Sequence, residues 1–342
     1  MATTYAIPDG RVAMAATLYT GNGGTQAVSN AVNGVSFQPD FVWLKSRSNA
    51  YTHKLYDSVR GITKKLESDS TAAEITTDST FLTSINSGGF TVGSDTGING
   101  SGSTFVGWQW KAGGTAVSNT AGSITSSVSA NTTAGFSVVT YTGTGANATV
   151  GHGLGVAPKM VIVKNRGAGN AWDIYTAMTG ANAYLSFTTA AVASGLFPSV
   201  ATSTVFSITG GAGGQGASGG TYVAYCFAPV AGYSAFGSYT GNGSADGPFV
   251  YLGFRPRFVM IKPSSTTGSW QILDTSRDTY NVEGNLLWAN ESTAETSSPP
   301  RWDGLSNGFK VRVGSASHPN VSGATYIYMA FAENPTKFAN AR

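Results

Sequence analysis

Three times along the chain a proline and one variable residue are followed by four apolar residues closed by a lysine. The copies are Pro39-Asp40-Phe41-Val42-Trp43-Leu44-Lys45, Pro158-Lys159-Met160-Val161-Ile162-Val163-Lys164 and Pro256-Arg257-Phe258-Val259-Met260-Ile261-Lys262. A short unbroken apolar run behind a residue that cannot donate to a ladder predicts a strand that starts at the proline and is buried on both faces. Alternating words follow each copy, His53-Lys54-Leu55-Tyr56-Asp57, Trp172-Asp173-Ile174-Tyr175-Thr176 and Trp270-Gln271-Ile272-Leu273-Asp274, and predict a half-buried strand that closes a hairpin on the first. Ahead of each copy stand Tyr19-Thr20-Gly21-Asn22-Gly23, Tyr141-Thr142-Gly143-Thr144-Gly145 and Tyr239-Thr240-Gly241-Asn242-Gly243, strand ends running into Gly/Asn turns.

Each copy ends on a strongly apolar run, Thr104 to Trp110, Thr221 to Phe227 and Thr325 to Phe331. Strands at this spacing, separated by turn residues, predict an all-β chain of three tandem related antiparallel β-sandwiches of jelly-roll or immunoglobulin-like type. The expected boundaries are residues 1–113, 135–233 and 234–342. Residues 114–134, rich in Gly, Ser, Thr, Ala and Asn without an aromatic residue, read as a linker. Repeats 2 and 3 have almost no spacer between them and are expected to form the tighter pair.

Composition sharpens this picture in two respects. Glycine and the β-favouring residues dominate 342 positions that include 45 glycines, 15 tyrosines and 17 phenylalanines, so helix has little support. Charged residues make up only 11%, against ~25% in ordinary soluble domains, and the second repeat holds just Lys159, Lys164, Arg166 and Asp173. A surface so poor in charge is expected to be covered, and a trimer of chains with repeat 2 near the contacts is the assembly this favours. A net charge of +3 is too weak to argue nucleic-acid binding. The start of the chain lacks the features of a signal peptide and no window approaches 18 apolar residues, so synthesis in a cytoplasm without membrane insertion is expected. Cys226, within an apolar run, reads as a buried free thiol.

The words Phe37 to Arg47, Asp57-Ser58-Val59-Arg60-Gly61, Gly107-Trp108-Gln109-Trp110-Lys111-Ala112-Gly113 and Gly151 to Lys159 resemble a β-rich domain of unknown function common in structural proteins of marine tailed phages. The ending Ala330-Phe331-Ala332-Glu333-Asn334-Pro335 is similar to the same group. The resemblance implies a virion protein and carries no catalytic residues. It yields the expectation of a non-enzymatic external appendage, a tail-fibre or knob-like component made in the host cytoplasm. Its expected partners are copies of itself, other virion proteins and a glycan of the host surface. A capsid decoration or cement protein is the alternative, and a virion-associated glycan-binding or glycan-hydrolysing protein the second.

Candidate chemistry is sparse. Gly211-Ala212-Gly213-Gly214-Gln215-Gly216 fits the dinucleotide pattern formally but leads into a strand, so a loop is expected. His53, His152 and His318 are dispersed and read as surface or turn residues, with no metal site and no cofactor expected. Glu67, Asp69 and Glu74 are the one acidic cluster from which a glycosidase site is conceivable, but the neighbouring Lys64 and Lys65 favour ionised carboxylates and argue against an acid. Asp57 with Arg60 and Asp274 with Arg277 repeat a spacing that suits a turn ion pair, worth ~0 to 1 kcal/mol if exposed. The tryptophans Trp43, Trp108, Trp110, Trp172, Trp270 and Trp288 fall in expected strands. Trp302, between Arg301 and Asp303 in a segment unmatched elsewhere, reads as a loop residue, and these three form the candidate binding site.

Overall fold

The computed structural model describes residues 6–211, 214–314 and 319–333. Each repeat builds the same four-stranded antiparallel unit. In repeat 1 an opening strand Met14–Thr20, the proline-led strand Phe41–Ser46, a return strand Lys54–Asp57 and a closing strand Thr104–Trp110 lie in the spatial order opening, closing, proline-led, return. Repeat 2 repeats that order with Phe136–Thr142, Met160–Asn165, Asp173–Thr176 and Thr221–Phe227, and repeat 3 with Ser234–Thr240, Pro256–Pro263, Gln271–Asp274 and Thr325–Ala332. The registers agree as well, since Trp43 faces Trp108, Ile162 faces Tyr225 and Met260 faces Met329.

A second layer covers one face of each unit. It has three strands in repeat 1, Gln26–Ser29, Leu82–Asn86 and Gly89–Val92, and two in repeat 2, Ala148–Gly151 and Val205–Ile208. In repeat 3 the main sheet runs on without interruption through Glu283–Trp288, Thr296–Leu305, Gly308–Val311 and Phe249–Tyr251 to make eight strands.

The two faces of the proline-led strand serve different cores, which explains the unbroken apolar run. Val42 and Leu44, Val161 and Val163, and Val259 and Ile261 point into three separate cores, each inside its own repeat. The intervening Phe41 and Trp43, Met160 and Ile162, and Phe258 and Met260 point into one core common to all three repeats, joined by Trp108, Trp110, Tyr225, Phe227 and Phe331. Phe41 stacks on Tyr225 with ring centres 4.3 Å apart, and Trp110 meets Phe227, Phe258 and Phe331 edge to face. All three units therefore close on each other, and repeats 2 and 3 are not set apart as a pair.

The repeated Tyr-Thr-Gly turns are explained by the same geometry. The hydroxyls of Tyr19, Tyr141 and Tyr239 donate to the carbonyls of Ile98, Gln215 and Pro319 at 2.7, 2.9 and 2.8 Å. A side chain at Gly21, Gly143 or Gly241 would run into backbone at 2.3 to 2.4 Å, so only glycine lets the chain pass there.

The segment expected as a linker is folded. Val117–Asn119 and Ser126–Asn131 are strands, the latter pairing with the opening strand of repeat 2 in the register Val128 to Val139. Ile124 and Val128 enter that repeat's core and Ser126 and Ser129 are buried, so small residues fill an edge that bulkier ones would overfill. A lack of aromatic residues is not a lack of packing.

Candidate functional site

Three loops, one from each repeat, meet at one end of the common core, and the bonds that hold them run cyclically. Lys45, Lys164 and Lys262, the lysines that close the repeated runs, are buried and donate across the boundary to the neighbouring repeat. Lys45 Nζ reaches the Ser292 carbonyl at 3.0 Å, Lys164 Nζ that of Thr71 at 2.9 Å and Lys262 Nζ that of Thr189 at 3.2 Å. Burial brings all three amines down to about 8.

A second ring lies beside the first. The Trp172 indole donates to the Glu67 carbonyl at 2.8 Å and the Trp270 indole to the Ser186 carbonyl at 2.7 Å. At the third equivalent position His53 Nε2 lies 2.9 Å from the Trp288 carbonyl while its Nδ1 accepts from the Trp43 indole at 2.7 Å, which fixes the neutral tautomer with the proton on Nε2. Burial lowers the His53 pKa well below its usual value. His53 and His152 are thus buried, contrary to the expectation of surface residues. The sequence concealed this because each bonds a backbone carbonyl far along the chain, Trp288 for His53 and Thr202 for His152. His318 lies outside the described residues.

Charge is spent on the boundaries. Glu74 accepts from Arg60 at 3.0 Å within repeat 1 and from Arg166 of repeat 2 at 2.8 Å. Glu295 accepts from Arg277 within repeat 3 at 2.8 Å and from Arg47 of repeat 1 at 2.7 Å. Asp57 with Arg60 and Asp274 with Arg277 are not exposed turn pairs but wholly buried ones. Asp57 accepts from the Tyr225 hydroxyl at 2.8 Å and Asp274 from the Trp108 indole at 3.0 Å, each across a repeat boundary. At the third boundary Thr176, Thr179, Val192 and Ser264 take the equivalent places. Between these four residues the charged bonds are replaced by uncharged side chains, and the backbone bond from Val192 N to the Ser264 carbonyl, 3.0 Å, is kept.

The acidic cluster of repeat 1 does not act as a unit. Glu67 binds Lys65 at 2.9 Å and Lys54 at 3.5 Å, and against the upward push of burial these lysines and Thr52 hold its pKa below the usual range. Glu74 belongs to the arginines. Asp69 accepts from the His53 backbone N–H at 3.0 Å, and burial raises its pKa to about 6, contrary to the expectation that nothing nearby would raise a carboxyl.

Asp69 opens onto a cavity of about 370 Å³ where the three loops converge. Asp69 and Ser70 come from repeat 1, Thr188 and Thr189 from repeat 2, and Asn290 and Glu291 from repeat 3, over a floor of Trp172 and Phe187. Two other depressions, of about 390 and 460 Å³, gather residues of repeat 2 with its preceding strands, and of repeats 1 and 3, respectively. The axial cavity was not readable from the sequence, because the loops that line it are about one hundred residues apart and meet only through the cyclic arrangement.

The sequence-derived candidates lie elsewhere. Trp302 is not in a loop: it sits on the strand Thr296–Leu305, wholly buried, edge to face with Phe309 at 5.7 Å in the core of repeat 3. Its neighbour Asp303 pairs with Arg312 at 3.3 Å, and the Arg301 carbonyl accepts from the Arg312 backbone at 2.8 Å. A proline-rich stretch suggested a loop, but Trp302 aligns with Glu283 and Val311 on its two flanking strands. Glu283 is buried, its carboxylate oxygens find no hydrogen-bond partner among the described residues, and burial raises its pKa to about 9. In the glycine-rich segment Ala212 and Gly213 lie outside the described residues, and the flanking Thr209 and Gln215 form a side chain to backbone bond of 3.2 Å. Among the described residues no group of three or more His, Cys, Asp or Glu is placed to hold a metal ion, and no helix is long and apolar enough to cross a membrane.

No curated protein and no solved structure matches this sequence. A family match spans residues 12–335, from the first strand of repeat 1 past the last strand of repeat 3, so the three interlocked units are covered together. The chain belongs to the family described as Domain of unknown function (DUF7483).

Proposed function

We propose that this chain is a non-enzymatic structural component of a tailed-phage virion, carried as an external appendage of tail-fibre or knob type. The observation that supports the reading best is the use made of buried polar groups. Arginine, lysine, carboxylate and indole groups are committed to bonds between repeats, and such bonds fix the three units against one another. Groups left buried at this cost serve shape when each has its partner. A body of this kind suits a part that must hold its form outside a cell.

Association with other virion proteins and with further copies of the chain belongs to the same proposal. It is supported by the edge strand Phe249–Tyr251 of repeat 3, where Phe249 and Tyr251 are 46% and 69% exposed. The scarcity of charge in repeat 2 also has an internal counterpart, since that repeat supplies one third of the common core. Gold-labelled antibody against the purified chain, applied to intact particles and viewed by electron microscopy, tests the assignment. Label at the tail tip or fibres is the expected result, label spread over the capsid identifies a decoration protein instead, and particles without label refute both. Sedimentation of the purified chain tests self-association, with a monomer at all concentrations refuting it.

A further inference from the structure

The loops that meet at the axial cavity are equivalent in the fold and different in chemistry. Beneath them the supports repeat, with Lys45, Lys164 and Lys262 each bonded to a carbonyl of the next repeat. Facing the cavity, the equivalent positions hold Asp69, Thr188 and Asn290; next to them Ser70 and Glu291 correspond, and the one-residue-shorter loop of repeat 2 passes directly to Thr189, the counterpart of Thr71 and Ser292. Phe187 stands where the other repeats have Ser68 and Ala289. A loop needed only to close the fold would be served by the same residues three times, as the lysines are. A repeated frame whose lining differs at Asp69, Thr188 and Asn290, and at Ser70 and Glu291, is instead suited to a ligand without threefold symmetry.

We propose that the axial cavity binds a single sugar residue that is neutral or carries an amino group. A volume of about 370 Å³ lies at the lower end of the ~300–1,000 Å³ of small-molecule sites. Two carboxylates, a carboxamide and several hydroxyls offer both acceptors and donors within this small space, which matches the dense hydroxyls of a pyranose. Trp172 and Phe187 pack against each other edge to face at 5.7 Å and are 2% and 6% exposed. Their exposed edges give the cavity a narrow apolar margin, enough for a few C–H groups of a saturated ring and too little for a stacked base. The amines of Lys45, Lys164 and Lys262 are engaged by the carbonyls of Ser292, Thr71 and Thr189, while the side chains of Asp69 and Glu291 line the cavity. The charged side chains that line the cavity are Asp69 and Glu291, so phosphate, sulfate and uronic acids would meet two carboxylates there. This inference concerns the cavity alone and stands whether or not the chain is carried on a virion.

The test uses the purified full chain on an array of bacterial oligosaccharides and polysaccharides with neutral, amino-substituted and acidic residues, with free monosaccharides as competitors. Thr188→Trp fills the cavity at an exposed position whose hydroxyl accepts a local bond from the Ala190 backbone. Ser118→Trp, at an exposed position in the depression beside repeat 2, is the control. Circular dichroism establishes that both variants fold. Retention of neutral or amino-substituted glycans, competed by a free monosaccharide, weakened at least tenfold by Thr188→Trp and unchanged by Ser118→Trp, is the expected result. The proposal is overturned by retention of no glycan at millimolar concentration, by retention of acidic glycans only, by binding that Thr188→Trp leaves intact, or by polymer binding that no monosaccharide competes.

Discussion

Replacing Asp57 by Thr places in repeat 1 the residue that repeat 2 carries at the same position, Thr176, and the consequence can be worked from the contacts. Asp57 receives the Arg60 guanidinium, the backbone N–H groups of Val59 and Arg60 at 3.1 and 2.8 Å, and the Tyr225 hydroxyl at 2.8 Å. Both charged side chains are wholly buried. Removing one partner leaves a desolvated guanidinium whose remaining carboxylate, Glu74, is shared with Arg166. The expected loss is ~3–5 kcal/mol, the cost of breaking a buried pair from one side. Adding Arg60→Thr, to match Thr179, removes the stranded charge and is expected to recover ~2 kcal/mol or more, because a buried pair contributes little net stability over uncharged residues of fitting shape. Urea unfolding of the wild type, both single variants and the double variant, followed by tryptophan fluorescence, supplies the cycle. Additive losses, or a loss below ~1 kcal/mol for Asp57→Thr alone, would refute the reasoning.

Three further outcomes are expected. Trp302→Ala costs ~3–5 kcal/mol of stability through the cavity it opens in repeat 3, and leaves glycan binding per folded molecule unchanged; loss of binding with unchanged stability would return Trp302 to the surface role its sequence suggested. Asp69 has a folded-state pKa raised from 3.8 to about 6, so the folded chain holds a proton that the unfolded chain has released between these values. Stability contributed by this group is present below pH 4 and is lost as pH rises through 6, and Asp69→Asn is expected to add ~3 kcal/mol at pH 7.5 and nothing at pH 3.5; a benefit independent of pH would contradict it. Cys226 is wholly buried with its thiol pushed up by desolvation, and is expected to resist thiol reagents at pH 8 until denaturant is added; stoichiometric labelling of the native chain would refute that.

How much of this was legible in the sequence depends on the range of the interactions concerned. The proline-led strands, their return partners and the strand ends at Tyr19, Tyr141 and Tyr239 were readable because periodicity and turn chemistry are local. Val42, Leu44, Val161, Val163, Val259 and Ile261 were correctly placed in cores. That the residues between them serve a second core shared by three repeats was not readable, since an apolar run buried on both faces does not say what covers either face. The same limit misplaced His53 and the pair of Asp57 with Arg60, whose polar character suggests a surface until their distant partners are known. Trp302 was misread because Pro299 and Pro300 signal a loop, whereas they lie within the strand Thr296–Leu305, which is paired on both sides. The strands within residues 114–134 were missed because small polar residues give a weak alternation, although Val128 marks the buried face.

The pairing of opening with closing strands sets the order in which the chain can fold. Met14 finds Trp110, Phe136 finds Phe227 and Ser234 finds Phe331, each partner about ninety residues later. Hairpins such as Phe41–Ser46 with Lys54–Asp57 form early from neighbouring segments, but no main sheet is complete until its final strand arrives, and long-range closure of this kind is slow. The Trp108 indole waits further still, for Asp274 of repeat 3. On a ribosome, repeat 1 therefore emerges with one aromatic face of its sheet uncovered and keeps it so until the remaining two thirds of the chain have been made. A truncation after residue 113 or 233 is expected to leave that face open to other chains and to aggregate, so the three repeats must be produced, and lost, together.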